Sequence, residues 1–157
     1  MDIRRATISD VPAIQRIATS FAVTRHDDPR TYGFFKYQFS DAQYVQRVNS
    51  PLFHIAETDA GLEGFCMAYD DVFFNRLSAT SPVHNYLMEY APKPFIYLDQ
   101  LAVRIPGTIC SARAASMLSR NFITQSDERR ASITCAVVHT PWMNHSSKKF
   151  ITHLGFE

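Results

Sequence analysis

The stretch "FIYLDQLAV", Phe95 to Val103, predicts the element around which the rest of the fold is organised. Nearly every residue in it is apolar or favours β structure, which is typical of a central strand covered on both faces. A loop rich in small residues follows. "SARAASMLSRNFITQ" then predicts a helix with one buried face, marked by Ala115, Leu118 and Phe122.

The sequence before this strand predicts a strand, two helices and a hairpin. "DIRRAT" is typical of a strand, and "ISDVPAIQRIATSFA" of an amphipathic helix capped by Ser9 or Asp10. "SDAQYVQRV" indicates a short helix capped by Ser40. "LFHIAET" and "LEGFCMAYDD" are strand-like and are separated by "DAG", whose Asp59 and Gly61 suit a hairpin turn. These two strands are expected to pair antiparallel.

Three more elements complete the alternation of strands and helices. A helix is expected around Val83 to Tyr90, before the central strand. "SITCAVV" indicates another buried strand, and the last helix begins at Asn144 with Phe150 and Leu154 on its buried face. The sequence therefore predicts an α/β fold.

Composition limits the functional classes that fit this chain. Its 157 residues are 46% hydrophobic and 20% charged, as expected for a single globular domain, residues 1–157. A net charge of +1 gives no reason to expect nucleic acid or a membrane surface as a partner. Three separated cysteines without CxxC spacing, and histidines without HxxxH spacing, predict neither disulfides nor a metal site. Without a leader or an apolar span, a cytoplasmic location is expected.

The order of elements, together with three motifs, resembles the GCN5-related N-acetyltransferase (GNAT) superfamily from Ile3 onward. "IRRATISDVPAIQRI" is similar to the usual start of that family, and "YLDQLAV" with the Pro, loop and helix after it is similar to its coenzyme A site. The family's late motif, N-x-x-(A/S)-x-x-(F/L)-Y-x-x-L-G-F, has counterparts at Asn144, Ser147, Phe150, Leu154, Gly155 and Phe156. The resemblance implies a central mixed sheet flanked by helices.

The resemblance also implies where acetyl-CoA would bind. The amides of its pantetheine arm pair with the central strand, here at Leu101, Ala102 and Val103. Its pyrophosphate meets backbone N–H groups at a helix amino terminus, where the helix dipole favours negative charge. The matching residues are Ile109, Cys110, Ser111, Ala112, Arg113 and Ala114, and the late helix adds Asn144, Ser147 and Phe150.

The pyrophosphate stretch departs from the family pattern (Q/R)-x-x-G-x-(G/A). Ile109 replaces the Gln or Arg, Ala112 replaces the inner Gly, and Ala114 matches. Glycine serves such turns because it reaches positive φ and lets backbone approach phosphate closely. An ordinary turn from strand to helix, with no phosphate site, is therefore an alternative interpretation of this stretch.

Transfer of an acetyl group to an amine requires a base for the ammonium proton and benefits from an acid for the leaving thiolate. In the family that the chain resembles, the base is often a carboxylate on or near the central strand, which implies Asp99 here, followed by Glu63 and Glu89. The alternative for Asp99 is a structural carboxylate bonded to a neighbouring element. The usual tyrosine acid corresponds to Ile151, which has no proton to donate. The general acid is therefore unknown, with Tyr97 as a distant alternative.

The resulting expectation is an N-acetyltransferase that moves acetyl from acetyl-CoA to a primary amine of a small molecule or a protein. The alternative is a GNAT-fold protein that binds acyl-CoA or a protein partner without transfer, as Ile151 suggests. The acceptor pocket is expected in the variable segments, residues 24–40 and 71–93. The family's closing strands are expected to be missing, through a truncation at Glu157 or an unobserved tail after it. A sheet edge left bare in this way makes a homodimer one expected assembly.

Overall fold

The computed structural model describes residues 1–22, 35, 38–77, 81–136 and 143–155. Its framework is a five-stranded sheet in the order β1-β2-β3-β4-β5. Neighbouring strands are antiparallel except β4 and β5, which are parallel. The sheet is therefore mixed, as predicted. The strands are β1 Asp2–Arg5, β2 Phe53–Thr58, β3 Gly61–Asp70, β4 Phe95–Val103 and β5 Ser132–Cys135.

The predicted helices lie between the strands in the expected order, and one more, at Asp71–Arg76, was not predicted. They are a 3-10 turn at Ile8–Asp10, α1 Val11–Phe21, α2 Asp41–Arg47, α3 Asp71–Arg76, α4 Pro82–Tyr90, α5 Ile109–Glu128 and α6 His145–His153. Ser40 caps α2: its hydroxyl accepts from the Gln43 N–H, and the Gln43 side-chain oxygen accepts from the Ser40 N–H. In the part of the chain that is described, no helix is long and apolar enough to cross a membrane.

The two faces of the sheet carry two separate apolar cores. One core joins the sheet to α1, α2, α3 and α4 through side chains such as Ile14, Tyr44 and Phe74. The other joins the opposite face to α5 through Leu118 and Phe122. The sheet is thus covered by helices on both sides, which confirms the predicted fold class.

The hairpin between β2 and β3 follows its sequence signal. The two strands pair antiparallel from Phe53↔Met67 to Thr58↔Gly61, leaving a two-residue connection. Gly61 has a φ of 108°, a backbone angle that glycine reaches at low cost. The chemistry of "DAG" was therefore sufficient to locate the turn.

One local prediction holds in position only, and another is wrong. Asp10 is the N-cap residue of α1, as predicted, but its side chain makes no capping bond: its carboxylate accepts from the Thr7 N–H at 2.8 Å and from Arg4. The strand within "SITCAVV" is not buried: β5 is exposed at Ser132 and half-buried at its other residues. β5 lies at the sheet edge and pairs with β4 alone among the described strands, so neighbours cover it incompletely.

Candidate functional site

The central feature of the site is a strand edge that loses its neighbour halfway along β4. β3 pairs with β4 from Asp70↔Ile96 to Gly64↔Val103. β5 pairs with β4 only from Phe95↔Ser132 to Leu98↔Cys135. Beyond Leu98, therefore, no other described strand pairs with β4 on the side away from β3. The main chain from Asp99 to Val103 offers N–H and C=O groups there to a strand-like ligand.

The three residues predicted to pair with a pantetheine arm lie on this edge segment. Ala102 is buried in the core on the α1 side of the sheet. Leu101 and Val103 are half-buried and pack against the core on the α5 side. Leu101, Ala102 and Val103 thus lie on the part of β4 that pairs with β3 alone among the described strands.

A short turn leads from this edge into α5, and Gly107 carries its special geometry. Gly107 has a φ of 85°. The Thr108 hydroxyl then accepts from the Ser111 N–H at 3.2 Å and so caps the helix. The stretch Ile109 to Ala114 consequently forms the first turns of α5. Because a helical backbone has negative φ, positions 112 and 114 do not require glycine. The turn does require one glycine, and Gly107 supplies it one residue before the cap.

A groove of about 320 Å³ lies at the amino terminus of α5. Of the predicted pyrophosphate residues, Ile109, Ser111 and Ala112 line it. Among the other three, Ala114 is buried in the core, Cys110 is half-buried and Arg113 is exposed. The full lining is Val103, Pro106, Gly107, Thr108, Ile109, Ser111, Ala112 and Ala115.

The first-turn N–H groups of α5 and its helix dipole make this groove suitable for an anion such as a pyrophosphate. The described residues that line the groove supply backbone donors and no charged side chain. The Ser111 hydroxyl supports the turn by accepting from the Ile105 N–H at 3.3 Å.

A β-bulge determines the direction of the Asp99 side chain. Met67 pairs with Gln100 and Ala68 pairs with Leu98, so Asp99 is the extra residue on β4. As a result, the side chains of Asp99 and Gln100 both lie on the face of the sheet that α2 covers. Asp99 Oδ2 accepts from the Tyr69 hydroxyl at 2.9 Å, and Gln100 Oε1 accepts from the Tyr44 hydroxyl at 3.0 Å. Bulges often re-aim side chains beside functional sites.

The environment of Asp99 favours a proton acceptor that works near neutral pH. Part of the residue's surface meets solvent, yet its carboxyl group lies deep enough that burial raises its pKa to about 6. The Tyr69 hydrogen bond and the positive charge of Arg47 oppose that rise. Such a group is largely ionised at pH 7 and retains useful basicity.

The other candidate acids and bases are less suitable. Glu63 is buried and its carboxylate contacts Arg104 at 2.6 Å, in an ion pair beside the far end of β4. Glu89 is exposed on α4. Tyr97 is buried, and burial together with the Asp99 charge raises its pKa. A phenol in that setting holds its proton tightly.

The last helix has the predicted cap and a partly covered apolar side. Asn144 Oδ1 accepts from the Ser147 N–H at 3.1 Å. Phe150, Ile151 and Leu154 are each half-buried, so the predicted buried face is only partly covered by the described residues. The described ranges contain no cluster of His, Cys, Asp and Glu that could hold a metal ion. The variable segment at residues 24–40 lies mostly outside the described residues.

Arg47 is the notable residue that the sequence interpretation missed. It is 7% exposed, although it ends a short polar helix where an exposed arginine is the ordinary expectation. The signal was available, because a helix capped at Ser40 places Tyr44 and Arg47 three residues apart on one face.

Comparison with known proteins identifies the fold. No protein-family model matches the sequence, and a search of curated proteins found no match. Among solved structures, Naa20 of Chaetomium thermophilum bound to a bisubstrate analogue is similar at TM-score 0.65 and 16% identity, over 98% of this chain and 70% of that one. Ard1 of Thermoplasma volcanium is similar at TM-score 0.67 and 14% identity, over 99% and 82% of the two chains.

A third similar structure is the aminoglycoside 6'-N-acetyltransferase AAC(6')-IG of Acinetobacter haemolyticus, at TM-score 0.62 and 15% identity. The similarity covers 100% of this chain and 91% of that one. With the sheet order and helix positions above, these similarities show that the chain has the GNAT fold.

Proposed function

We propose that the protein is an N-acetyltransferase that moves an acetyl group from acetyl-CoA to a primary amine. The observation that carries this proposal is the continuity of three features along one short segment. The bulged Asp99 begins the edge of β4 that β5 does not cover, that edge runs to Val103, and Val103 lines the groove at the start of α5. The base, the thioester and the pyrophosphate would thus lie one after another along β4 and the start of α5.

Each part of this segment has a defined task in binding. The main chain of Leu101, Ala102 and Val103 pairs with the pantetheine amides as an added strand would. The first-turn N–H groups of α5, at Ile109 and Cys110, receive the pyrophosphate. Acetyl-CoA supplies the acetyl group as a thioester. The acceptor amine approaches from the side of the sheet where Asp99 meets Tyr69.

Asp99 supports the chemical step by removing a proton. Free alkyl amines have a pKa of about 10, so the ammonium form predominates at neutral pH and must lose a proton before it attacks. Asp99 accepts that proton, directly or through water. The neutral amine attacks the thioester carbonyl, and the nitrogen–carbon bond forms as the carbon–sulfur bond breaks. The acetylated nitrogen releases its second proton to solvent, and the thiolate takes up a proton from solvent. Ile151 donates no proton, so the leaving thiolate is not assisted from that position.

Ile151 favours a second candidate function, a GNAT-fold protein that binds acyl-CoA without transferring the acyl group. Loss of one general acid typically lowers a rate by about 10²- to 10⁴-fold. The two functions share the β4 edge and the α5 groove, and they differ only in whether transfer follows binding.

Two measurements test the proposal in sequence. Thermal unfolding with acetyl-CoA at 100 times its Kd should show a stabilisation of about 2.7 kcal/mol. Release of free thiol from acetyl-CoA, with a panel of peptide amino termini, lysine side chains, aminoglycosides and polyamines, should then exceed the rate without acceptor. Stabilisation without acceptor-dependent release would favour the binding protein, and no stabilisation at millimolar acetyl-CoA would contradict both functions.

A further inference from the structure

Arg47 is a buried cation with few partners. Its guanidinium lies 3.9 Å from the centre of the Phe39 ring, and one terminal nitrogen donates to the Gln43 carbonyl at 3.1 Å. Its Nε–H is buried and has no hydrogen-bond partner. Among the described residues no carboxylate lies within ion-pair distance of it. A buried charge with so little compensation is costly, so its position requires an explanation.

The position of Arg47 on α2 relates it to the bulge in β4. Tyr44 and Arg47 are the buried residues of α2, one turn apart on the same face. The Tyr44 hydroxyl donates to Gln100, which is adjacent to Asp99. The α2 face that carries Arg47 is therefore joined to β4 next to Asp99 by this hydrogen bond.

Arg47 is the charged side chain that acts on Asp99 among the described residues. The other titratable groups facing that carboxylate are Tyr69 of β3, Tyr97 of β4 and Tyr44 of α2, all phenols. Around them, α1 and α3 contribute apolar side chains to the same core. Arg47 lowers the pKa of Asp99, against the stronger effect of burial. Among the described residues, the guanidinium forms no ion pair with that carboxylate.

We propose that Arg47 is a positioning residue for the reaction: its buried guanidinium keeps the bulged Asp99 carboxylate ionised, and so able to accept the proton of the acceptor amine. This inference rests on the proposed function. The unpaired arrangement suits that task, because a direct ion pair would occupy the carboxylate oxygens that the amine must reach. Tyr69 already occupies one of them.

The test is the pH dependence of kcat/KM for thiol release in wild type, Arg47→Met and Arg47→Lys. Loss of a nearby opposite charge raises a carboxyl pKa by about one unit or more. Arg47→Met should therefore move the acid limb to higher pH by that amount, with activity about tenfold lower below the limb and nearly restored above it. Arg47→Lys should keep the limb near its wild-type position. Arg120→Met, an exposed arginine on α5, is the matched control and should leave the profile unchanged.

A second readout separates this inference from the proposed function. Carbon-13 NMR of labelled aspartate, assigned with Asp99→Asn, follows the Asp99 carboxyl without any substrate, and circular dichroism checks that each variant is folded. A higher Asp99 pKa in folded Arg47→Met supports the inference even if no amine is acetylated, in which case the proposed function alone fails. An unchanged Asp99 pKa, or a uniform loss of activity at every pH, would overturn it. If Arg47→Met does not fold, Arg47→Lys decides alone, since a large rise of the Asp99 pKa there would contradict a role based on charge.

Discussion

Asp99 is the residue on which the proposed chemistry depends most directly. Its side chain points toward α2 because one extra residue in β4 shifts the register against β3. The sequence predicted the strand and selected this carboxylate. It did not predict the bulge, because a bulge depends on how β3 and β4 pair, which is a non-local property. Whether Asp99 is a base or only a structural partner of Tyr69 is decided by substitution.

Asp99→Asn should separate catalysis from stability. Asparagine can still accept from the Tyr69 hydroxyl but cannot take a proton, so kcat/KM should fall by about 10²- to 10⁴-fold while the Kd for acetyl-CoA is unchanged. The folded-state pKa of Asp99, about 6, exceeds its ordinary value of 3.8, so ionisation of Asp99 costs stability above about pH 4. At pH 7 the free energy of unfolding of the variant should therefore exceed that of wild type by on the order of 1–3 kcal/mol. This difference should shrink as the pH falls from 6 to 4.

Urea unfolding at pH 7 and pH 4 measures the stability part of this prediction, and thiol release measures the catalytic part. Retention of most of the activity in Asp99→Asn would show that the carboxylate serves structure rather than proton transfer.

At the scale of elements, the unit that carries the candidate site is β4, the turn at Gly107 and α5. Its strand and helix follow from periodicity and β propensity, which are local properties of the sequence. The residue with positive φ in the turn was harder to predict, because comparison with the family pattern places glycine at the position of Ala112 and permits it at that of Ala114. The structure instead assigns the positive φ to Gly107, outside the compared positions. Side-chain identity within the first helical turns matters less for anion binding than backbone direction.

Gly107→Ala should strain this turn and weaken acetyl-CoA binding. A φ of 85° costs an L-residue about 1–2 kcal/mol, and relaxation of the turn would move the first-turn N–H groups of α5. Gly61→Ala is a matched control, since it introduces similar strain in the β2–β3 hairpin at a φ of 108°, away from the groove. Both variants should lose stability in urea, while calorimetric titration should show weaker acetyl-CoA binding only in Gly107→Ala. Equal Kd values in the two variants would argue against a role for this turn in binding.

Gly64→Ala should disturb the pairing of β3 with the same segment of β4. A Cβ at Gly64 would lie 2.8 Å from the Ala102 carbonyl oxygen, so the two strands would have to move apart. Overpacking of this kind typically costs about 1–3 kcal/mol. Relative to wild type, the variant should show faster hydrogen exchange of the amides in β3 and β4, while the amides in β1 should change less. Unchanged exchange and unfolding would mean that the strand pair absorbs the methyl group at no cost.

At the scale of the whole molecule, two cores hold the sheet between helices, and a polar cluster joins the chain start to the sheet. Arg4 of β1 contacts Asp10 at 2.8 Å and Glu57 of β2 at 2.7 Å. Asp10 also accepts from the Thr7 N–H, so one carboxylate connects β1 with the turn that leads into α1. The sequence indicated each element but not this cluster, because Arg4 and Glu57 are neighbours only after β1 and β2 pair.

The cluster should make stability sensitive to acid in a defined range. The Arg4 hydrogen bond lowers the pKa of Asp10 to about 2, below its ordinary value of 3.8. A lowered folded-state pKa means that the contribution is complete above about pH 4 and is lost as pH falls toward 2. Asp10→Asn should therefore be less stable than wild type by about 1–2 kcal/mol at pH 7 and nearly equal to it at pH 2. Urea unfolding at the two pH values measures the difference, with Asp2→Asn, which changes an exposed carboxylate on β1, as the control that should have little effect. A difference between Asp10→Asn and wild type that stayed constant from pH 7 to pH 2 would show that the charge of Asp10 does not stabilise this end of the molecule.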